Sequence, residues 1–301
     1  MERFSNVIEK DNPGCFIREF SSFPGFINGC SYRLDFAEGC QFNCKYCFLN
    51  DYLESPGKIL LYSNYEKING ELNEKYEILK GKTVSLGVLN DSFFPLQIRE
   101  RIFKLSQIFK RYPEITFELR TKADLKDDLN RIAELPDNCS IVFSMNTPEI
   151  NKKMERGTAG IFERINSAEN LVKLSQRKIG IVFDPIIYYP EFLNDFIKVI
   201  DSIKNHIPEE KIYFIGLGFL RLMPETYKKI LDDEEASDLV FSSRFIRGNK
   251  DKAVYPMAFR LKIYYRVIDK ILNLFKKVNI RFYMEYEYVP EILNLKKVSQ
   301  E

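Results

Sequence analysis

The sequence predicts an α/β fold built on a parallel sheet, as one catalytic domain with short additions at either end. Two observations carry this. Apolar strand-like runs alternate with charged amphipathic segments, the pattern of βα units, and no repeat, low-complexity tract or Gly/Ser-rich linker interrupts them across 301 residues. A third observation concerns chemistry: the chain has six cysteines and a single histidine.

Taken in order, residues 1–29, with Asn12-Pro13-Gly14 and Phe23-Pro24-Gly25, read as an irregular N-terminal extension. Strands are expected at Tyr32–Phe36, Thr83–Leu89, Thr116–Arg120, Ser140–Ser144, Ile179–Phe183 and Ile212–Gly216. Helices are expected at Arg99–Arg111, Ile161–Gln176 and Phe192–Asn205. In the last of these, Phe192, Phe196, Val199, Ile200 and Ile203 recur at helical spacing. A long helix around Met257–Lys277 precedes a seventh strand-like stretch, Ile280–Glu285, which either completes the sheet or caps it. The expected division is an extension over 1–29, the barrel-forming unit over 30–225 and a C-terminal helical and strand cap over 226–301.

Composition narrows the function classes. Forty-five basic against 43 acidic residues leave a net charge of +2, which neither demands nor forbids a polyanionic partner. No apolar run approaches the roughly 18 residues that span a bilayer. Met1–Lys10 lacks the plan of a signal peptide. The expectation is a soluble cytoplasmic protein with no membrane partner. One histidine, His206, argues against His-based zinc sites, Ser-His-Asp triads and Cys-His proteases, so chemistry is sought in the thiols.

Three of these fall within eight residues: Cys40, Cys44 and Cys47, spaced C-x3-C-x2-C. A short loop with thiolates at these offsets can wrap three corners of an iron–sulfur cube. A zinc ribbon would want another C-x2-C pair, and Cys139 stands alone. Three ligands leave one iron open. Cys15, Cys30 and Cys139 read as buried small hydrophobes.

The loop Cys40–Cys47, with Tyr46 before its last cysteine, resembles the radical S-adenosylmethionine (SAM) enzymes. The resemblance implies a [4Fe–4S] cluster on Cys40, Cys44 and Cys47, with SAM bound at the open iron. SAM is then cleaved by one electron to methionine and a 5′-deoxyadenosyl radical that abstracts hydrogen. It also implies a partial (β/α)6 TIM-like barrel and an electron donor of flavodoxin or ferredoxin type. In α/β barrels the active site lies at the C-terminal strand ends. Those ends carry Asn90 and Asp91; Lys122; Ser144 and Asn146; Asp184, with Tyr188 and Tyr189 close behind; and Arg221. Asn90, Asp91, Lys122, Ser144, Asn146 and Asp184 are candidates for holding SAM, and Tyr188, Tyr189 and Arg221 for catalysis.

Later motifs resemble the spore photoproduct lyase-like group, which includes DNA repair photolyase-like proteins. They are Glu38 through Asn50, Arg120-Thr121-Lys122, and Phe143-Ser144-Met145-Asn146-Thr147 followed by Met154-Glu155-Arg156-Gly157-Thr158 and Phe162-Glu163-Arg164-Ile165. The resemblance implies that Tyr46 lies beside the adenine of SAM, that Lys122 faces its carboxylate, and that Ser144 bonds the ribose or carboxylate. Glu155, Thr158 and Arg164 read as an ion-paired network joining loop to helix.

Two departures bear on substrate. Where these lyases carry a cysteine at the end of strand two that returns hydrogen to the product radical, this chain has Leu89. Phe48 stands where they have a tyrosine. The expectation is therefore radical chemistry on another substrate: a peptide, a nucleoside or a small metabolite. The alternative is a nucleic-acid lesion lyase with another hydrogen donor, Tyr188, Tyr189 or Tyr46. For it the best basic stretch is 243–252, which reads equally as a solvated loop. Tyr283, Tyr286 and Tyr288 line either a substrate mouth or an exposed edge.

Overall fold

In the computed structural model, the structure describes residues 7–20, 25–53, 57–241, 245–248 and 251–295. Eight strands form the main sheet: β1 (Ile17–Glu19), β2 (Tyr32–Leu34), β3 (Thr83–Ser85), β4 (Thr116–Thr121), β5 (Cys139–Ser144), β6 (Ile179–Ile186), β7 (Ile212–Phe219) and β8 (Asn279–Phe282). Their spatial order is their chain order. From β2 to β8 every pairing is parallel, and β1 runs antiparallel along β2. Edges β1 and β8 do not pair with each other, so the barrel stays open.

A helix crosses between each successive pair of parallel strands: α1 (Lys67–Glu74), α2 (Leu96–Phe109), α3 (Leu129–Ala133), α4 (Ile161–Leu174), α5 (Phe192–His206) and α6 (Met257–Leu274). These are the six expected βα units, and the seventh expected strand does complete the sheet beside β7. Helices on the outer face leave the strands covered on both sides, so they read as continuous apolar runs. The first five residues of β6 are all buried. The expected helical face of α5, Phe192, Phe196, Val199, Ile200 and Ile203, is the face it buries.

The expected second strand is shorter than its apolar run. After Ser85 the chain leaves the ladder, and Leu89 gives its carbonyl to the Gly39 amide at 2.8 Å. The N-terminal stretch is also less irregular than expected. It supplies β1, a strand at Val7–Lys10 that pairs with Ile59–Tyr62, and a strand at Phe26–Ile27 that pairs with Glu285–Tyr286. The 243–252 stretch lies partly outside the described residues. Within it, Arg247 pairs with Asp251 at 2.6 Å.

Asp35, just past β2, is only 4% exposed. Burial raises its carboxyl to about 6 despite Arg33 at 3.2 Å and Arg18 at 3.8 Å. A carboxyl whose folded pKa lies above its unfolded value stabilises the fold below the unfolded value and loses that contribution as pH rises through the folded one. Asp35→Asn is therefore expected to gain on the parent by about 2–3 kcal/mol between pH 4 and 6. Urea unfolding of both proteins at pH 4, 5, 6 and 7 measures this; a constant difference would refute it.

Candidate active site

The cysteine loop is set by its neighbours. Gly39 has φ +100°, and a side chain there would strike the Lys58 carbonyl, so only glycine can turn the chain into Cys40. Asn43–Cys44 pairs antiparallel with Glu155–Arg156. The Lys45 amide bonds the Met154 carbonyl at 2.8 Å, and Phe42 stacks on Phe94 at 4.4 Å. A two-residue ladder is weak alone, so side chains must hold the loop.

They do so through one buried carboxylate. Glu155 Oε2 accepts from Arg164 at 2.7 Å, both side chains fully buried, and the Tyr46 hydroxyl donates to Glu155 Oε1. Arg164 also donates to the Ser144 carbonyl at 2.8 Å, the Ala159 carbonyl at 3.0 Å and the Thr158 hydroxyl at 2.7 Å. Burial works to raise the Glu155 carboxyl, but Arg164, Lys122 and Tyr46 outweigh it and hold it down at about 2. The expected network of Glu155, Thr158 and Arg164 is present, and Tyr46 joins it. The cysteine loop and the start of α4 thus share one ion pair.

The three loop thiols line a cavity of about 440 Å³ at the C-terminal ends of the strands. Burial pushes up all three; Asp91 and the other two thiols add to the rise at Cys40, and Cys44 reaches about 12. Thiolates here need a compensating positive group, which a metal cluster supplies. No set of three or more Cys, His, Asp or Glu converges on a single ion among the described residues. The donor set fits a [4Fe–4S] cluster.

The same cavity brings together Tyr46, Asn90, Asp91, Lys122, Ser144, Asp184 and Arg221. Asp91 accepts from the Thr121 hydroxyl at 2.7 Å and from the amides of Lys122 at 2.7 Å and Phe93 at 3.0 Å. Burial raises its carboxyl in spite of these donors. With both oxygens committed, Asp91 positions the end of β4 rather than offering a free carboxylate. Lys122 Nζ lies 5.9 Å from the Tyr46 ring. Asn90 gives its amide to the Ala37 carbonyl at 2.9 Å and leaves a buried Oδ1 with no partner. Asp184 pairs with Arg221 at 3.3 Å.

Three expected site residues do not line the cavity. Asn146 ties β5 to β6 through the Pro185 carbonyl at 3.1 Å. Tyr188 packs edge-on against Phe259. Tyr189 donates to Asp195 at 2.7 Å, and its oxygen accepts from the Thr147 hydroxyl at 2.9 Å. Conversely, Asn28, Cys30, Arg120 and Tyr283 do line it. Of the three cysteines read as buried hydrophobes, Cys15 is exposed, Cys139 is buried at the start of β5, and Cys30 faces the cavity. Tyr283 is part of the wall, while Tyr286 and Tyr288 stack on each other. No spacing signalled Asn28 and Cys30, which come from the N-terminal stretch; Arg120 lies in the expected third strand, and Tyr283 takes the substrate-mouth alternative offered for it. No helix among the described residues is long and apolar enough to cross a membrane.

Comparison with known proteins matches residues 17–231 to the spore photoproduct lyase family. A curated spore photoproduct lyase of Clostridium acetobutylicum is 24% identical over 265 residues, covering 84% of this chain and 76% of that protein. Among solved structures, a spore photoproduct lyase complexed with dinucleoside spore photoproduct superposes with a TM-score of 0.77 at 15% identity, over 91% of this chain and 81% of that one. A variant of such a lyase with bound AdoMet and the same dinucleoside gives 0.74 at 15% identity, with the same coverage. Streptococcus suis SuiB bound to S-adenosylmethionine gives 0.53 at 16% identity, over 84% of this chain and 50% of that one.

Proposed function

The chain belongs to the spore photoproduct lyase family, a family of radical SAM enzymes, and on that premise we propose that it cleaves SAM reductively and abstracts hydrogen from an organic substrate other than spore photoproduct. The observation that carries this reading is one cavity that joins Cys40, Cys44 and Cys47 to Tyr46, Lys122, Ser144 and Asp184. A cluster held by the three thiolates supplies the electron for SAM cleavage when bound. The chain's own residues do the rest. Lys122 offers a compact charge to a carboxylate. Ser144, on the adjoining strand end, offers a hydroxyl to the same ligand. Tyr46, anchored through its hydroxyl on Glu155, presents its ring face to the cavity rather than a proton.

A change of substrate is supported by Leu89, which is buried four residues past β3 and carries no thiol S–H from which a hydrogen atom could be returned. A second reading, a nucleic-acid lesion lyase, gains support from the Cys30 thiol in the cavity wall, which is a better hydrogen donor than the committed Tyr46 and Tyr189 hydroxyls. Under that reading Cys30→Ala keeps deoxyadenosine formation but changes the products from a lesion-bearing oligonucleotide. An unchanged product set removes it.

Anaerobic reconstitution is expected to load about four irons per chain, and SAM with dithionite to release 5′-deoxyadenosine. Cys44→Ala should abolish both. Persistence of deoxyadenosine in that variant would overturn the assignment of the loop.

A further inference from the structure

Glu155 grips the cysteine loop from the core, and a second grip reaches it from the other side. Lys45 sits between Cys44 and Cys47 but does not line the cavity. Its ammonium donates instead to Asp233 at 2.8 Å, the two side chains being 12% and 30% exposed. The same Asp233 oxygen accepts the amides of Glu235 at 3.1 Å and Ala236 at 3.0 Å. One carboxylate thus caps the helix Glu234–Phe241 and pairs with the loop. Glu235 adds contacts to Lys45 at 3.4 Å and to Arg156 at 2.6 Å, reaching both sides of the short ladder between Asn43–Cys44 and Glu155–Arg156.

The far shoulder of the loop is held by the other helix of the same pair, Pro224–Leu231. Asn50, in the short helix Leu49–Tyr52, donates to the Cys44 carbonyl at 3.1 Å and closes the loop on itself. Its neighbour Asp51 accepts the Thr226 amide at 3.0 Å and the Thr226 hydroxyl. Thr226 is 1% exposed, so Asp51 satisfies a buried amide that the first turn of a helix leaves open. Exposure ranks these contacts. The pair between Arg156 and Glu235 is more than half exposed on both sides and contributes little. Lys45 and Asp51, at 12% and 10%, are the anchors.

A [4Fe–4S] cluster is ordinarily held by four cysteines, and this loop offers three. Each local opening of the loop is therefore an occasion to lose iron, and opening is set by the contacts that hold this segment shut. We propose that Lys45 with Asp233, and Asp51 with Thr226, are positioning residues that keep the cysteine loop closed on its cluster, so that the helices over 224–241 govern how firmly the cluster is retained. Asp233 and Glu235 lie beyond residues 17–231, the span matched to the family. The proposal rests on the reading that the three thiols hold a cluster, and adds a control on it from a distant part of the chain.

The test is the rate at which the reconstituted, full-length protein loses its visible absorption to excess EDTA under anaerobic conditions. Asp233→Asn still caps the helix but offers Lys45 no charge, and Lys45→Met removes the other partner. Each is expected to lose iron about fivefold faster than the parent. The double variant should lose it no faster than the worse single one, because both remove the same contact. Asp51→Ala should also lose iron about fivefold faster, and Asp51→Asn, whose amide oxygen still accepts from Thr226, should recover most of the parent rate. Lys228→Met breaks an ion pair on the same helix that does not touch the loop, and should match the parent. Melting temperatures of the apoproteins are expected to stay within about 2 °C of one another. Parent rates in Lys45→Met, Asp233→Asn and Asp51→Ala overturn the proposal, as do effects that multiply in the double variant or that track a falling melting temperature. A parent protein that takes up no iron removes the cluster reading itself; one that loads iron and loses it at the same rate as the variants removes the clasp alone.

Discussion

Arg164→Met is expected to destabilise the protein by about 3–5 kcal/mol and to abolish most iron loading. Removing one partner of a fully buried pair leaves the other charge uncompensated. Here the orphan would be Glu155, the carboxylate on which Tyr46 and thereby the cysteine loop are hung. The Ser144 carbonyl would also lose the Arg164 donor, while the Ala159 carbonyl would keep Asn151. Thermal unfolding of the apoprotein and iron content after reconstitution read the two effects separately. The double variant Glu155→Leu with Arg164→Met regains part of the stability, since no buried charge remains, yet loads iron poorly because the Tyr46 hydroxyl has lost its acceptor. Iron loading at the parent level in both variants would show that the loop is held by something else.

Asp91→Asn is expected to weaken SAM binding about tenfold while leaving iron content unchanged. The Asp91 carboxylate receives three donors, two of them from Thr121 and Lys122 at the end of β4. An amide in its place turns an N–H toward one of those donors. Hydrogen bonds to a charged acceptor are each worth about 1.5–3 kcal/mol, so the strand end shifts and Lys122 with it. Equilibrium dialysis of SAM against the reconstituted variant tests this. Unchanged affinity would mean that the position of Lys122 does not depend on Asp91, and lost iron would place Asp91 with the cysteine loop instead.

The main elements were legible because periodicity reports burial. β6 is an apolar run with six of its eight residues buried, and α5 shows its buried face at helical spacing. The cysteine loop was legible because its ligands sit within eight residues. Antiparallel β1 was not. Its three residues, Ile17, Arg18 and Glu19, are too few to display a period of two, and only Ile17 is buried. Tyr188 and Tyr189 fit a rule about strand ends, yet Tyr189 is held by Asp195 on the neighbouring helix α5, a contact no strand-end rule contains. Nearness in sequence to a strand end decides neither the direction of a side chain nor its partner.

By itself, then, the sequence determined the alternation that builds the open barrel and the three thiols of the loop, since both are local patterns. Only the tertiary structure decided which other residues meet those thiols. Asn28, Cys30 and Tyr283 line the same cavity as the thiols because Phe26–Ile27 pairs with Glu285–Tyr286 and carries the N- and C-terminal stretches to the same mouth, while Arg120 reaches it from β4. That pairing involves residues more than 250 positions apart, and contact at such separation leaves no periodic trace along the chain. It also moved Cys30, one of the three cysteines without an evident use, into the cavity where the radical would act.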